Sequence, residues 1–179
     1  MVQTEHIDPT GFGLLLVAAV SLPGALDLLL TGNVNAWTSG SDIAAVIGTM
    51  LLIVALLAYK ANSTFGMTVF GLVGTGVLCV GGGSAIFGGA AAGTGALLVF
   101  GIIYLFCIFW SVAAKTPKLL TLLLVTTALI FLVAGINTLI TDADLAKNMG
   151  YVLGVIYLFN FIFNFWLGAG LCCDKIKTF

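Results

Sequence analysis

The chain has 179 residues, 61% of them hydrophobic and only 7% charged, with a formal net charge of −1. That balance excludes a water-soluble domain, because so few polar side chains cannot cover so much apolar surface. Net charge near zero gives no reason to expect a nucleic acid as partner; the partner implied is the lipid bilayer.

A membrane span needs about 20 mostly apolar residues, and six such stretches fit the chain, at 9–31, 42–59, 65–88, 93–114, 117–140 and 148–172. They read as helices. A barrel strand alternates apolar and polar residues over about ten positions, and residues 119–134 show no such alternation. The expected fold is therefore an all-α integral membrane protein. A leader over 1–8 is followed by one six-helix bundle over 9–172 and a tail over 173–179. The leader carries Glu5, His6 and Asp8 and no lysine, which does not fit a cleaved signal peptide. Lys60, Lys115, Lys118, Lys175 and Lys177 fall on the side of the N-terminus, while Lys147 alone lies opposite, beside Asp42, Asp142 and Asp144. Lysine in short loops sets orientation, so both termini are expected in the cytoplasm, with the chain in the plasma (inner) membrane.

In chain order, Asp8-Pro9 reads as a helix start, with Asp as cap and Pro at the first helical position. Pro23-Gly24 interrupts the first span, where proline removes a backbone hydrogen bond. Asp27, one turn on, is the one acid inside a span, and intramembrane carboxylates default to a functional reading. It is the candidate for coupling proton movement to transport; the alternative is a carboxylate that simply reaches water at the outer boundary. The string from Tyr59 to Phe70 is an exceptional polar cluster between two apolar runs. Glycines crowd the third and fourth spans, and Gly89/Gly93 and Gly150/Gly154 have the spacing that lets helix backbones approach closely. In the last span Tyr157, Asn160 and Asn164 share one helical face, with Asn137 a further amide in the fifth. These amides are expected to bond between helices or to line a pore. Trp110, Trp166 and the tyrosines near span ends fit an aromatic belt.

No catalytic constellation is present. His6 is the single histidine, in the leader, which removes a triad or a histidine metal site. The four cysteines have no metal spacing, and Cys172-Cys173 at the end of the last span stands where acylation occurs in other proteins. No Gly-Lys-Ser/Thr follows the glycine runs. No enzyme activity and no cofactor or metal are expected. Absence of arginine removes tight bidentate anion binding, so an anion in transit would be held weakly.

Tyr59-Lys60-Ala61-Asn62-Ser63-Thr64-Phe65-Gly66-Met67-Thr68-Val69-Phe70 resembles the signature of the acetate uptake transporter family, which includes the succinate–acetate permease. Family members carry Tyr-Lys, a polar turn, then Asn-Thr-Phe-Gly-x-Thr-x-Phe opening the third helix; here Ser63 stands between the Asn and the Thr. Asp8-Pro9-Thr10 stands where the family has Asn-Pro-Ala. The resemblance implies a homo-hexamer, each protomer with its own pathway for acetate or related monocarboxylates, succinate included. It also implies an apolar constriction formed by a Phe, a Tyr and a Leu. Aligned positions put Val17 and Val73 in place of the aromatics, and Thr126 or Thr127 in place of the Leu. Smaller and wetter residues should widen or relax such a gate. The chain is thus expected to be a divergent channel or transporter, passive or proton-coupled. A neutral small-solute channel and a non-transporting assembly or sensor subunit are the alternatives.

Overall fold

The structure, a computed structural model, describes residues 9–33, 41–79 and 94–173. Among these there are six helices and no strand: α1 Thr10–Thr31, α2 Ser41–Lys60, α3 Thr64–Val77, α4 Thr94–Ala113, α5 Lys118–Asn137 and α6 Ala143–Cys172. Five of the six are long and apolar enough to cross a bilayer. The all-helical bundle expected from the sequence is what forms.

Several boundaries differ from expectation. Expected to run from 65 to 88, α3 spans Thr64–Val77, 14 residues or about 21 Å of rise; the helical backbone continues through Leu78 and Cys79, and residues 80–88 of the expected span lie outside the described set. Helix α6 starts five residues early, at Ala143, because the Asp142 carboxylate accepts the Leu145 N–H at 2.9 Å and caps it. Helix α5 stops at Asn137 rather than 140, where the backbone turns through Leu139 N–H to Ile136 O at 2.9 Å. Helix α1 begins at Thr10 with Pro9 flanking it, one residue later than expected; its expected cap, Asp8, lies outside the described residues.

Close backbone approach organises the bundle. Helices α1 and α6 lie antiparallel along most of their length. A Cβ at Gly150 would run into the carbonyl of Gly32, and one at Gly154 would press on Leu28 and Leu29. At the far end a Cβ at Gly168 would lie 3.1 Å from the Gly11 carbonyl. Gly32 itself ends α1 in the left-handed conformation, φ 66°, donating to Leu28 O. The Gly150/Gly154 pair therefore does what its spacing implies, while Gly89/Gly93 lies outside the described residues. Elsewhere Gly74 meets the Gly48 carbonyl between α3 and α2, and Gly101 meets Leu132 between α4 and α5. Lipid gives helices no hydrophobic reason to associate, so contact area and backbone proximity must supply the attraction.

The exterior is greasy. Leu30, Phe109 and Phe106 are 80%, 75% and 70% exposed, a surface that suits acyl chains and not water. Helix α1 continues unbroken through Pro23, which faces outward together with Ala19, the residue whose carbonyl it leaves without an intrahelical partner.

Gly150→Leu is expected to force α1 from α6 and to cost about 1–3 kcal/mol, read as a lower melting temperature in detergent. Gly95→Ala, where a Cβ meets nothing within 4 Å, should leave the melt unchanged or raise it.

Candidate functional site

Two cavities open at opposite ends of the bundle. One, of about 600 Å³, is lined by Thr31, Gly32 and Asn33 after α1, Asn137 and Thr138 closing α5, and Lys147 of α6. The other, of about 240 Å³, lies at the opposite end between Thr10 and Leu14 of α1, Ser63 to Phe70 leading into α3, Pro117 and Leu120 at the start of α5, and Leu167 and Leu171 of α6. Buried Leu14, Phe70 and Leu167 floor this second cavity with apolar side chains.

Between the two, α1, α5 and α6 bring five polar side chains together, all buried. Ser21 donates to Asn160 Oδ1 at 2.9 Å and has the Val17 carbonyl 2.8 Å away as a second acceptor. Asn160 Nδ2 donates to Thr126 Oγ1 and Thr127 Oγ1, both at 2.9 Å. Both threonine hydroxyls in turn donate to Leu123 O at 2.9 Å. Asn164 Nδ2 donates to the backbone and side-chain oxygens of Asn160, at 2.8 and 2.9 Å. Backbone carbonyls at both ends dictate the direction of every bond. The Leu123 carbonyl takes the threonine protons, so the threonine oxygens can only accept from Asn160. The Asn160 carbonyl takes an Asn164 proton, so the amide nitrogen of Asn164 must point there and its oxygen away. That oxygen, fully buried, has no hydrogen-bond partner.

Thr126 and Thr127 thus meet each other and Asn160 in one hydrogen-bonded cluster. Val17 joins it through its carbonyl, while its side chain and that of Val73 belong to the buried apolar core. Asp27 is half-buried in the last turns of α1, its carbonyl accepting from Thr31 at 2.7 Å. It stands six residues, about 9 Å along the helix, from Ser21. Asn137, at the last position of α5, turns a buried and unpartnered Oδ1 near the larger cavity.

The motif string forms the joint between α2 and α3. Tyr59 and Lys60 end α2 exposed, and Asn62 takes the left-handed conformation at φ 58°. Ser63, which interrupts the motif, is the helix cap: its Oγ accepts the Gly66 N–H at 3.2 Å. Thr64 is exposed, and its carbonyl accepts the Thr68 hydroxyl at 3.0 Å. Phe65 meets Trp110 edge-on, with ring centroids 5.3 Å apart. Phe70 seats its ring on α1 where Gly13 leaves room.

Sequence reasoning missed Ser21. Its signal was available, because it falls on the face of α1 shared by Leu14, Val17, Gly24 and Leu28. It also missed Phe70 as an inner aromatic, having placed the constriction only at Val17, Val73 and the threonines.

Helices long and apolar enough to cross a bilayer, bundled around a buried polar cluster, define a multi-pass membrane fold. Among solved structures, the bacterial acetate channel SatP has a similar fold: the TM-score is 0.72 at 17% sequence identity, over 94% of this chain and 93% of that one. No protein-family model matches the sequence, and no curated protein matches it.

Asn160→Leu is expected to destabilise the protein by about 1 kcal/mol, the ordinary weight of interhelical polar links in bilayers. The loss stays small because the Ser21 and threonine hydroxyls keep the Val17 and Leu123 carbonyls as partners. Thr127→Val should then cost less in the Asn160→Leu background than alone, a non-additivity that a double-mutant cycle of detergent melts would read.

Proposed function

We propose that the chain forms a channel for acetate and related small monocarboxylates. The observation that carries this reading is the pair of cavities at opposite ends of the bundle, separated by the Ser21–Asn160–Thr126/Thr127 cluster, in a fold shared with an acetate channel. The solute would enter the cavity beside Lys147, pass the cluster near Thr127, and leave over Val17, Val73 and the Leu14–Phe70 floor. Lysine bias supports placing that floor and both termini on the cytoplasmic side of the plasma membrane. The outward aromatic faces of α4 and α6 support assembly of protomers, six by the family resemblance, and a solubilised particle of one or two protomers would argue against it.

Protein in liposomes is expected to accelerate uptake of labelled acetate over vesicles without protein. Val73→Trp should return uptake to the protein-free rate, and full flux through this variant would put the pathway elsewhere. Asp27 is the candidate for proton coupling. If it has that role, Asp27→Asn removes the acceleration by external acid that remains after the protein-free rate is subtracted. An unchanged pH profile would leave Asp27 as a residue of the helix end.

A channel for neutral solutes is the second reading, favoured by the absence of any charged side chain among the five residues of the central cluster. A membrane subunit without transport is the third, and flux by the reconstituted chain would exclude it.

A further inference from the structure

The protons of the central cluster do not balance its acceptors. Ser21 offers one proton to two acceptors, Val17 O and Asn160 Oδ1. The hydroxyl protons of Thr126 and Thr127 are committed to Leu123 O. Both amide protons of Asn160 are committed to the threonine oxygens, and those of Asn164 to the two oxygens of Asn160. What remains is Asn164 Oδ1, buried and without a partner, on a side chain with no exposed surface. A buried acceptor without a donor costs roughly 1–3 kcal/mol, so the cluster is short of protons and has none to offer.

A carboxylate is a pure acceptor. Arriving at this cluster it would meet oxygens already short of donors, with no cation among the five residues to offset its charge. Its charge would also have to leave water for the middle of a bilayer, which costs several kcal/mol without a partner. A protonated acid carries an O–H and fills the vacancy on Asn164 Oδ1 while losing no charge solvation. Asn164 lies one turn along α6 from Leu167, which floors the smaller cavity, so a solute rising from that cavity meets Asn164 before Asn160. Neither cavity is lined by Asn160 or Asn164; passage therefore requires the cluster to exchange one of its bonds, and a donating solute is the one that can replace what it breaks.

We infer that the central cluster selects solutes that donate a hydrogen bond, so that the permeant form of a monocarboxylate is the neutral acid and not the anion. The inference rests on the channel reading above but has a separate test. Full-length protein in liposomes is compared with empty vesicles for three labelled solutes of similar size. Acetate changes form with pH, methanesulfonate stays anionic throughout, and acetamide is a neutral donor at every pH. Expected are an acetate flux at fixed total concentration that falls about tenfold per pH unit above the acid's pKa, exclusion of methanesulfonate, and a pH-independent flux of acetamide. An acetate flux that ignores pH, or one driven by membrane potential, would overturn the inference, as would methanesulfonate passing as readily as acetate. Acetamide flux without acetate flux would sink the monocarboxylate reading and keep donor selection. Acetate together with methanesulfonate would do the reverse, and no flux of any solute would sink both. Asn164→Leu removes the vacant acceptor and should lower acetamide flux about fivefold, the weight of one hydrogen bond, while Asn164→Gln restores part of it. If Asn164→Leu fails to fold, the three-solute comparison on the unaltered chain decides alone.

Discussion

The approach of α1 to α6 is the constraint on which the rest of the molecule depends. Each of these helices crosses the other with glycine where a side chain would intervene: Gly32 against Gly150 at one end, Gly11 against Gly168 at the other. Backbones held this close fix the register of the two helices. That register puts Ser21, near the middle of α1, within 2.9 Å of Asn160. Were the helices an ångström or two further apart, the serine would turn to its own Val17 carbonyl alone, as serine does in isolated helices. The amide would then lose the bond that ties α1 to the cluster. Packing glycines and polar cluster are thus one device, in which the first supplies proximity and the second converts proximity into a specific register.

Much of this was legible in the sequence, because each level used a strong signal. Apolar runs of sufficient length gave the helices, an even number of spans put the outer ends of α1 and α6 together, Gly11 beside Cys172, and the spacing of Tyr157, Asn160 and Asn164 gave the inward face of α6. That all three residues are buried follows from the cost of leaving an amide in hydrocarbon. The errors have physical causes too. Hydropathy counts apolar residues and not the turns that bound a helix, so it carries α5 three residues beyond Asn137. Hydropathy likewise ends α6 where the polar residues begin, whereas Asp142 carries the helix on past them by capping it. Ser21 escaped notice because a single hydroxyl in an apolar run is a weak signal, even on the face of α1 that its neighbours turn inward. Its partner is 139 residues away in sequence.

The aligned constriction positions make a further point about what a resemblance can transfer. Two aromatic positions fall on Val17 and Val73, and the aliphatic one on Thr126 or Thr127. Aromatic side chains stand close to these positions. Phe70 fills the space over Gly13, and Phe131 stacks on Tyr104 with its ring against Gly76, so the described interior retains aromatic mass at shifted positions. Interiors need volume filled, and a neighbour one turn away can fill it. Polarity does not redistribute in that way. Threonine hydroxyls in hydrocarbon are acceptors that must find donors where they stand, and Asn160 is the donor that reaches Thr126 and Thr127.

In the pathway proposed above, the direction of donation then becomes a chemical property of the route. In water an amide side chain turns to suit its neighbours, and no polarity is imposed on a solute beside it. Here the carbonyls of Leu123 and Asn160 are held by the helical backbones of α5 and α6 and cannot turn. The threonines and Asn164 must orient to them, and Asn160 must orient to both. A fixed backbone therefore writes its acceptor character through three layers of side chains and ends it on a buried oxygen, Asn164 Oδ1, that has no donor. Selectivity of this kind needs no charged residue and no narrow ring of aromatics. It needs only that the last oxygen in the chain of bonds has nothing to accept from.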